Sequence, residues 1–298
     1  MQEIIDSHTH IDYLNRNESY DYLTTMQSLL DVLDDNNVKK AVCSQMPYST
    51  EFVDIQRWNT GDYNKIPFLL SNILLLEDKD KYDVNDKIIP FFNIHPQKKL
   101  VEQLHYIKEI IDSWWQCKWI KYNCQATNTN IDSINNPILI DFCREYKLPI
   151  LLHTWVSKNW NASNVFDFIK NTPDIKFSVA HLWRLHRLFR NMVKNEWIPQ
   201  NMFIDISPYK LVYLTQKVKQ CKPWINLEDV DEKTLLHSIC VQYVDHIIRW
   251  TDFPFVWDEE LYKQWSYKEN LLILDGLDPE IIKKITSINI KRFLWIDL

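Results

Sequence analysis

Eight short apolar runs, separated by stretches with apolar residues at helical spacing, constrain this chain of 298 residues more than any other feature. The runs are EIID (3–6), VKKAVCSQM (38–46), KIIPFFNI (87–94), CKWIKYN (117–123), LPILLHT (148–154), IKFSVAH (175–181), NMFIDIS (201–207) and DHIIRWTDF (245–253). Most are continuous rather than alternating in polarity, as parallel strands covered on both faces are. Between them lie apolar stripes at three- and four-residue spacing. One is Leu23, Met26, Leu29, Leu30 and Leu33; a second is Leu100, Leu104, Ile107, Ile110 and Ile111. A weaker third is Ile138, Ile140, Phe142 and Tyr146, and Phe166, Phe168 and Ile169 fit a fourth. Strands alternating with helices in this number predict an α/β fold, a closed (β/α)8 barrel formed as a single domain over residues 1–298. Residues 47–66 are polar and irregular, and are expected to cross one mouth of the barrel.

Hydrophobic residues make up 46% of the chain, enough for a core of that size. The net charge of −6, with no basic block, argues against sequence-independent nucleic-acid binding, which needs clustered Lys and Arg. No apolar stretch reaches membrane-spanning length, and MQEIIDSHTH has neither a basic nor an apolar leader region. The expectation is a cytoplasmic protein with a small-molecule substrate and neither a nucleic-acid nor a membrane partner. Cys43, Cys117, Cys124, Cys143, Cys221 and Cys240 are scattered without a C-x-x-C pair, as reduced core thiols are.

In such a barrel, chemistry sits where strands end. Strand one closes on His8-Thr9-His10, strand four near Lys121, strand five on His153, strand six on His181 and strand eight on Asp252. Residues two apart on a strand face the same way, so His8 and His10 are expected to point together. A further histidine and an aspartate from other strands can converge with them. Imidazole nitrogen and carboxylate oxygen suit a divalent cation such as zinc, which lowers the pKa of bound water. A nearby His or Asp then moves the proton. His105, His186, His237 and His246 lie at helical or pre-strand positions and read as structural, while His95 in NIHP suits either substrate contact or structure. A lysine at position 121 is repelled by metal ions unless neutral or modified.

In IIDSHTHI, WIKYN, LPILLHT, SVAHL and WTDFPF, and in DGLDPEIIKKITSINIKRFLWI, the sequence resembles the amidohydrolase superfamily. The likeness is closest to the amidohydrolase-related (amidohydrolase-2) branch and runs from residue 3 to the C-terminus. It implies a TIM barrel of the metallo-dependent hydrolase type without an added β-sandwich. By that resemblance His8, His10, His153 and Asp252 bind the main metal, zinc by expectation, with manganese or another divalent ion open. Asp252 and His181 are the catalytic pair, and His181 is a ligand if the site holds two ions. Lys121 corresponds to the lysine that is carboxylated and bridges the metals in binuclear members.

The implied activity is hydrolysis of a small amide, lactone or ester. The branch also contains decarboxylases of unsaturated or aromatic acids, a reaction favoured by cations beside the metal, for which Arg184 and Lys158 are candidates; Arg184 and His95 are the candidate substrate contacts. A barrel that binds a ligand or partner without turnover ranks lower. A TatD-like nuclease would ask for glutamate where Lys121 stands, and a PHP-type phosphoesterase does not account for TDFPF. The segments 11–20, 47–66, 124–136 and 208–230 carry no motif that names the substrate. Barrels of this kind often form homo-oligomers.

The chain has 2 glycines and 13 tryptophans, against an average glycine usage of about 7%. Where the amidohydrolase-2 motifs usually carry glycine, this sequence has Trp119, Trp155, Trp250 and Trp295, and Trp183 follows the strand-six histidine. Trp160, Trp197, Trp224 and Trp265 also stand in turn-like settings, where glycine is favoured because it reaches positive φ. The pattern predicts that many of these positions are glycine in the living protein, encoded by UGA and rendered as tryptophan.

Overall fold

The structure is a computed structural model. It describes residues 3–11, 25–45, 66–83, 85–113, 119–124, 126–153, 162–180, 198–206, 232–249, 251, 253, 257–258, 263–264 and 274–295. The strands are β1 (Ile5–Ile11), β2 (Lys40–Gln45), β3 (Ile88–Pro90), β4 (Phe92–Ile94), β5 (Ile120–Asn123), β6 (Ile150–His153), β7 (Phe177–Val179), β8 (Met202–Ile206) and β9 (Ile247–Arg249), with a short antiparallel pair, Trp257–Asp258 and Lys263–Gln264. β1, β2 and β3 form one parallel sheet, and β4 to β9 form another in chain order.

The expected third strand is split between the two sheets. β3 pairs with β2, β4 pairs with β5, and Phe91 stands between them. The Phe91 N–H donates to the Cys43 carbonyl at 2.8 Å, and the Phe92 N–H to the Trp119 carbonyl at 3.2 Å. At the far end, the His10 N–H donates to the Phe253 carbonyl at 2.7 Å, and Thr9 bridges Phe253 in parallel. The segment after β9 thus returns to β1.

Burial on both strand faces follows from separate apolar clusters on the two sides. Alternate residues Ile120, Tyr122, Leu152, Phe177, Val179 and Ile204 pack outward against the helix residues Leu104, Ile107, Leu139, Cys143, Val165 and Ile169. The intervening residues Val42, Trp119, Leu151, Phe203 and Ile248 pack together with Ile290, Phe293 and Leu294 of the C-terminal helix (Asn289–Leu294). Truncating a large side chain in such a core costs about 3–5 kcal/mol.

The helices start where capping chemistry allows. Thr25 accepts from the Ser28 N–H at 3.2 Å ahead of Met26–Asp35. Asn136 and Asp278 each cap a helix whose first residue is proline, at Pro137–Glu145 and Pro279–Lys283. The first apolar stripe buries Met26, Leu29, Leu30 and Leu33 as expected. The third stripe is shifted: Leu139, Ile140 and Cys143 are buried, while Ile138 is exposed. A helix at Leu69–Tyr82, absent from the sequence reading, fills the connection between β2 and β3; it buries Ser71, Asn72 and Lys79 alongside leucines, which blurs its stripe. The segment 47–66 lies almost wholly outside the described residues. Among the described residues no helix is long and apolar enough to cross a membrane.

The tryptophan pattern divides on inspection. Trp295 caps the C-terminal helix with φ 56° and ψ 30°, a left-handed conformation that glycine favours. Asn37 and Lys147 reach positive φ just beyond other helix ends, so tryptophan is not alone in this role. Trp119 has no positive φ and is buried at 4% exposure. Its Nε1–H donates to the Leu294 carbonyl at 3.3 Å, and its ring lies 5.7 Å from that of Phe91, so the backbone there makes no demand for glycine. Trp155, Trp160, Trp183, Trp197, Trp224, Trp250 and Trp265 lie outside the described residues.

Candidate metal centre

β1 carries a register shift that decides which way its histidines face. Asp6 pairs with Ala41 and Thr9 with Cys43, so three steps on β1 match two on β2, the mark of a one-residue bulge. Accordingly Ile5 packs in the inward core while Ile11, six residues on, packs in the outer cluster with Met26 and Leu29. An unbroken strand would put both on one face. The bulge gives His8 and His10 the inward side, with ring centroids 4.7 Å apart.

Both rings aim Nε2 at one point. Lys121, inward on β5 and fully buried, places its Nζ 2.7 Å from His8 Nε2, 3.2 Å from His10 Nε2 and 3.0 Å from Ser44 Oγ. Ser44 Oγ also lies 3.3 Å from His10 Nδ1. Burial holds the His10 pKa well below the ordinary histidine value, and the charges of Lys121 and His153 push it the same way. A neutral imidazole with its lone pair free at Nε2 is the form that binds a metal. Asp205, inward on β8 and fully buried, sets Oδ2 3.9 Å from His8 Nδ1, on the far side of the ring from Lys121.

His153 closes β6 beside Asn123 of β5, half-buried at the same end of the sheet. It is near enough to lower the His10 pKa, but among the described residues no three His, Cys, Asp or Glu side chains gather closely enough to hold an ion. His181, Arg184, Lys158 and Asp252 lie outside the described residues. The residues flanking Asp252 are described. Thr251 donates its backbone N–H to Asp6 Oδ1 at 3.1 Å and its hydroxyl to Asp6 Oδ2 at 2.6 Å. Two imidazole nitrogens of β1 thus point at one place, the Lys121 Nζ of β5.

His95 follows β4, and its ring is buried at 1% exposure. Its Nδ1 accepts the N–H groups of Gln97 at 3.3 Å and Lys98 at 3.1 Å, which fixes the proton of the neutral ring on Nε2. Burial and the nearby Lys98 charge lower its pKa to about 4. The histidines read as structural behave so where described: His105 is an exposed helix residue 3.3 Å from Glu109, and His246 Nδ1 lies 3.0 Å from the Met202 carbonyl.

The sequence reading missed Asp6, Ser44 and Asp205. Asp6 and Ser44 stand among other polar residues, while Asp205 is a single acid between Ile204 and Ile206. Asp205 carried a usable signal, since it stands two residues beyond Phe203 on the same face and so must point inward. A buried acid there needs a partner.

A scan of the sequence against models of known families finds no match, and neither does a sequence search of curated proteins. Solved structures do match over nearly the whole chain. A probable 2-pyrone-4,6-dicarboxylic acid hydrolase from Acinetobacter baumannii, with citric acid bound, is 12% identical with a TM-score of 0.60, covering 98% of this chain and 99% of that one. The 5-carboxyvanillate decarboxylase of Novosphingobium aromaticivorans, complexed with manganese and 4-hydroxy-3-methoxy-5-nitrobenzoic acid, is 13% identical with a TM-score of 0.63, covering 99% and 96%. An amidohydrolase from Burkholderia multivorans with bound zinc is 11% identical with a TM-score of 0.59, covering 99% and 100%. At these identities what is shared is the fold, and the chain has the α/β fold of the amidohydrolases.

Proposed function

We propose that the chain is a metal-dependent hydrolase of a small amide, lactone or ester, built as a single closed (β/α)8 barrel. The observation that carries this reading is the convergence of His8 Nε2 and His10 Nε2 on one buried point at the Lys121 Nζ, 2.7 and 3.2 Å away. His8, His10, His153 and Asp252 would hold a divalent cation, zinc or manganese. Such an ion supplies Lewis acidity and a water of lowered pKa. The Asp205 carboxylate lies behind the His8 ring, 3.9 Å from Nδ1, on the side where outer carboxylates steady metal-binding imidazoles. Asp252 or His181 moves the proton between water and leaving group. Lys121 would either stay an amine hydrogen-bonded to the two rings or, carboxylated, offer oxygen ligands to a second ion.

Decarboxylation is the second reading, favoured by the likeness to a manganese-containing decarboxylase over 99% of this chain. It would use the cationic side chains Arg184 and Lys158 to hold a substrate carboxylate. Metal content per chain tests the common ground. One equivalent fits a mononuclear site with Lys121 unmodified, and two equivalents fit a carboxylated bridge and hydrolysis. No metal after reconstitution, or metal retained in full by His153→Ala, sinks the reading. A panel of lactone dicarboxylates and hydroxylated aromatic acids then separates proton release from CO2 release. A binding barrel without turnover would keep its ligand through chelation.

A further inference from the structure

The β1 bulge lies between Asp6 and Thr9, and a buried backbone N–H there needs an acceptor. Asp6 Oδ1 accepts the His8 N–H at 3.2 Å. The same carboxylate accepts both Thr251 donors, at 3.1 and 2.6 Å, from the other end of the chain. Thr251 Oγ1 in turn accepts the Phe253 N–H at 3.2 Å, and the Phe253 carbonyl accepts the His10 N–H at 2.7 Å. Ser7 Oγ donates to the Arg249 carbonyl at 2.6 Å in the same seam. Thr251, through Asp6, and Phe253, directly, are thus each linked to the backbone N–H of a β1 histidine.

We propose that Asp6 is the positioning residue of the metal site. It holds the bulge that turns His8 and His10 inward, and ties Thr251 to them. The proposal rests on the metal-site reading above. The carboxylate is fully buried and has two oxygens for three donors, so no neutral side chain of its size replaces it. Asparagine keeps one acceptor and brings an N–H2 group against Thr251.

The test is zinc affinity by competition with a chromophoric chelator, alongside the urea midpoint of the metal-free protein. Asp6→Asn is expected to lower affinity on the order of 10–100-fold, the usual effect of losing a group that orients a ligand. Thr251→Val, which removes the hydroxyl donor from the other side, is expected to lower it in the same direction. The double variant should lose less than the product of the two, because both changes break one linkage. If Asp6→Asn does not fold, Thr251→Val alone carries the test. Folded variants that bind zinc as the wild type does would overturn the positioning role and leave the metal site standing. A wild type that takes up no zinc would overturn both.

Discussion

Replacing His95 by asparagine should remove a defined part of the acid sensitivity of this fold. His95 Nδ1 accepts two backbone N–H groups, so protonating it breaks both and creates a cation in a site 1% exposed, next to Lys98. The folded pKa is about 4, against the ordinary value of 6.5 for the unfolded chain. Between those values the unfolded state binds more protons, so stability falls as pH drops from 6.5 and the loss is complete below 4. A gap of about 2.5 pH units at about 1.4 kcal/mol each gives roughly 3 kcal/mol as an upper value. Asparagine can still accept an amide N–H and does not titrate. Urea denaturation of both proteins across this range should give curves that converge by about 3 kcal/mol as pH falls, the variant losing less. Parallel curves would refute the assignment of the proton to Nε2 and of the low pKa to His95.

Two further perturbations test the framework. Asn201 Nδ2 donates to the carbonyls of Ile169, Thr172 and Ile175 at 2.9, 2.8 and 2.9 Å, closing the turn before β7, so Asn201→Ala should cost about 2–3 kcal/mol in urea denaturation; less than 1 kcal/mol would show that the turn holds without it. Trp295→Gly relieves a left-handed residue at a helix end and should stabilise by up to about 1 kcal/mol, reduced by the lost packing on Lys176; a clear destabilisation would mean the ring contact outweighs the backbone strain.

The shared direction of His8 and His10 was legible in the sequence, and the frame that aims them was not. His-x-His at a strand end announced two inward imidazoles, and period-two geometry predicted their shared direction. That direction relative to Ile5 was not legible, because it depends on a bulge, and nothing in IDSHTHI marks the extra residue except the aspartate that holds it. Lys121 was placed by its motif, yet its contact with both rings depends on the stagger of β5 against β1 across sheets that local sequence does not encode. The helix at Leu69–Tyr82 escaped because buried Ser71, Asn72 and Lys79 interrupt its apolar face. The split at Phe91 escaped because KIIPFFNI is apolar throughout, and only hydrogen bonding shows where one partner strand gives way to the next. Asp205 was one acid in an apolar run, and its meaning appears only when His8 is seen in front of it.

The floor of the inward core has a consequence for synthesis. Ile290, Phe293 and Leu294 seal the side chains of strands made much earlier, and Trp119 donates its indole N–H to Leu294. Glu3 is tied to Ser287 and Lys291. A nascent chain that has already exposed all its strands to the cell still lacks the segment that stoppers them. For that interval Val42, Leu151, Phe203 and Ile248 lack their C-terminal cover, and exposed apolar surface of this kind favours association. The packing of this cluster is therefore completed only when residues 289–294 are available.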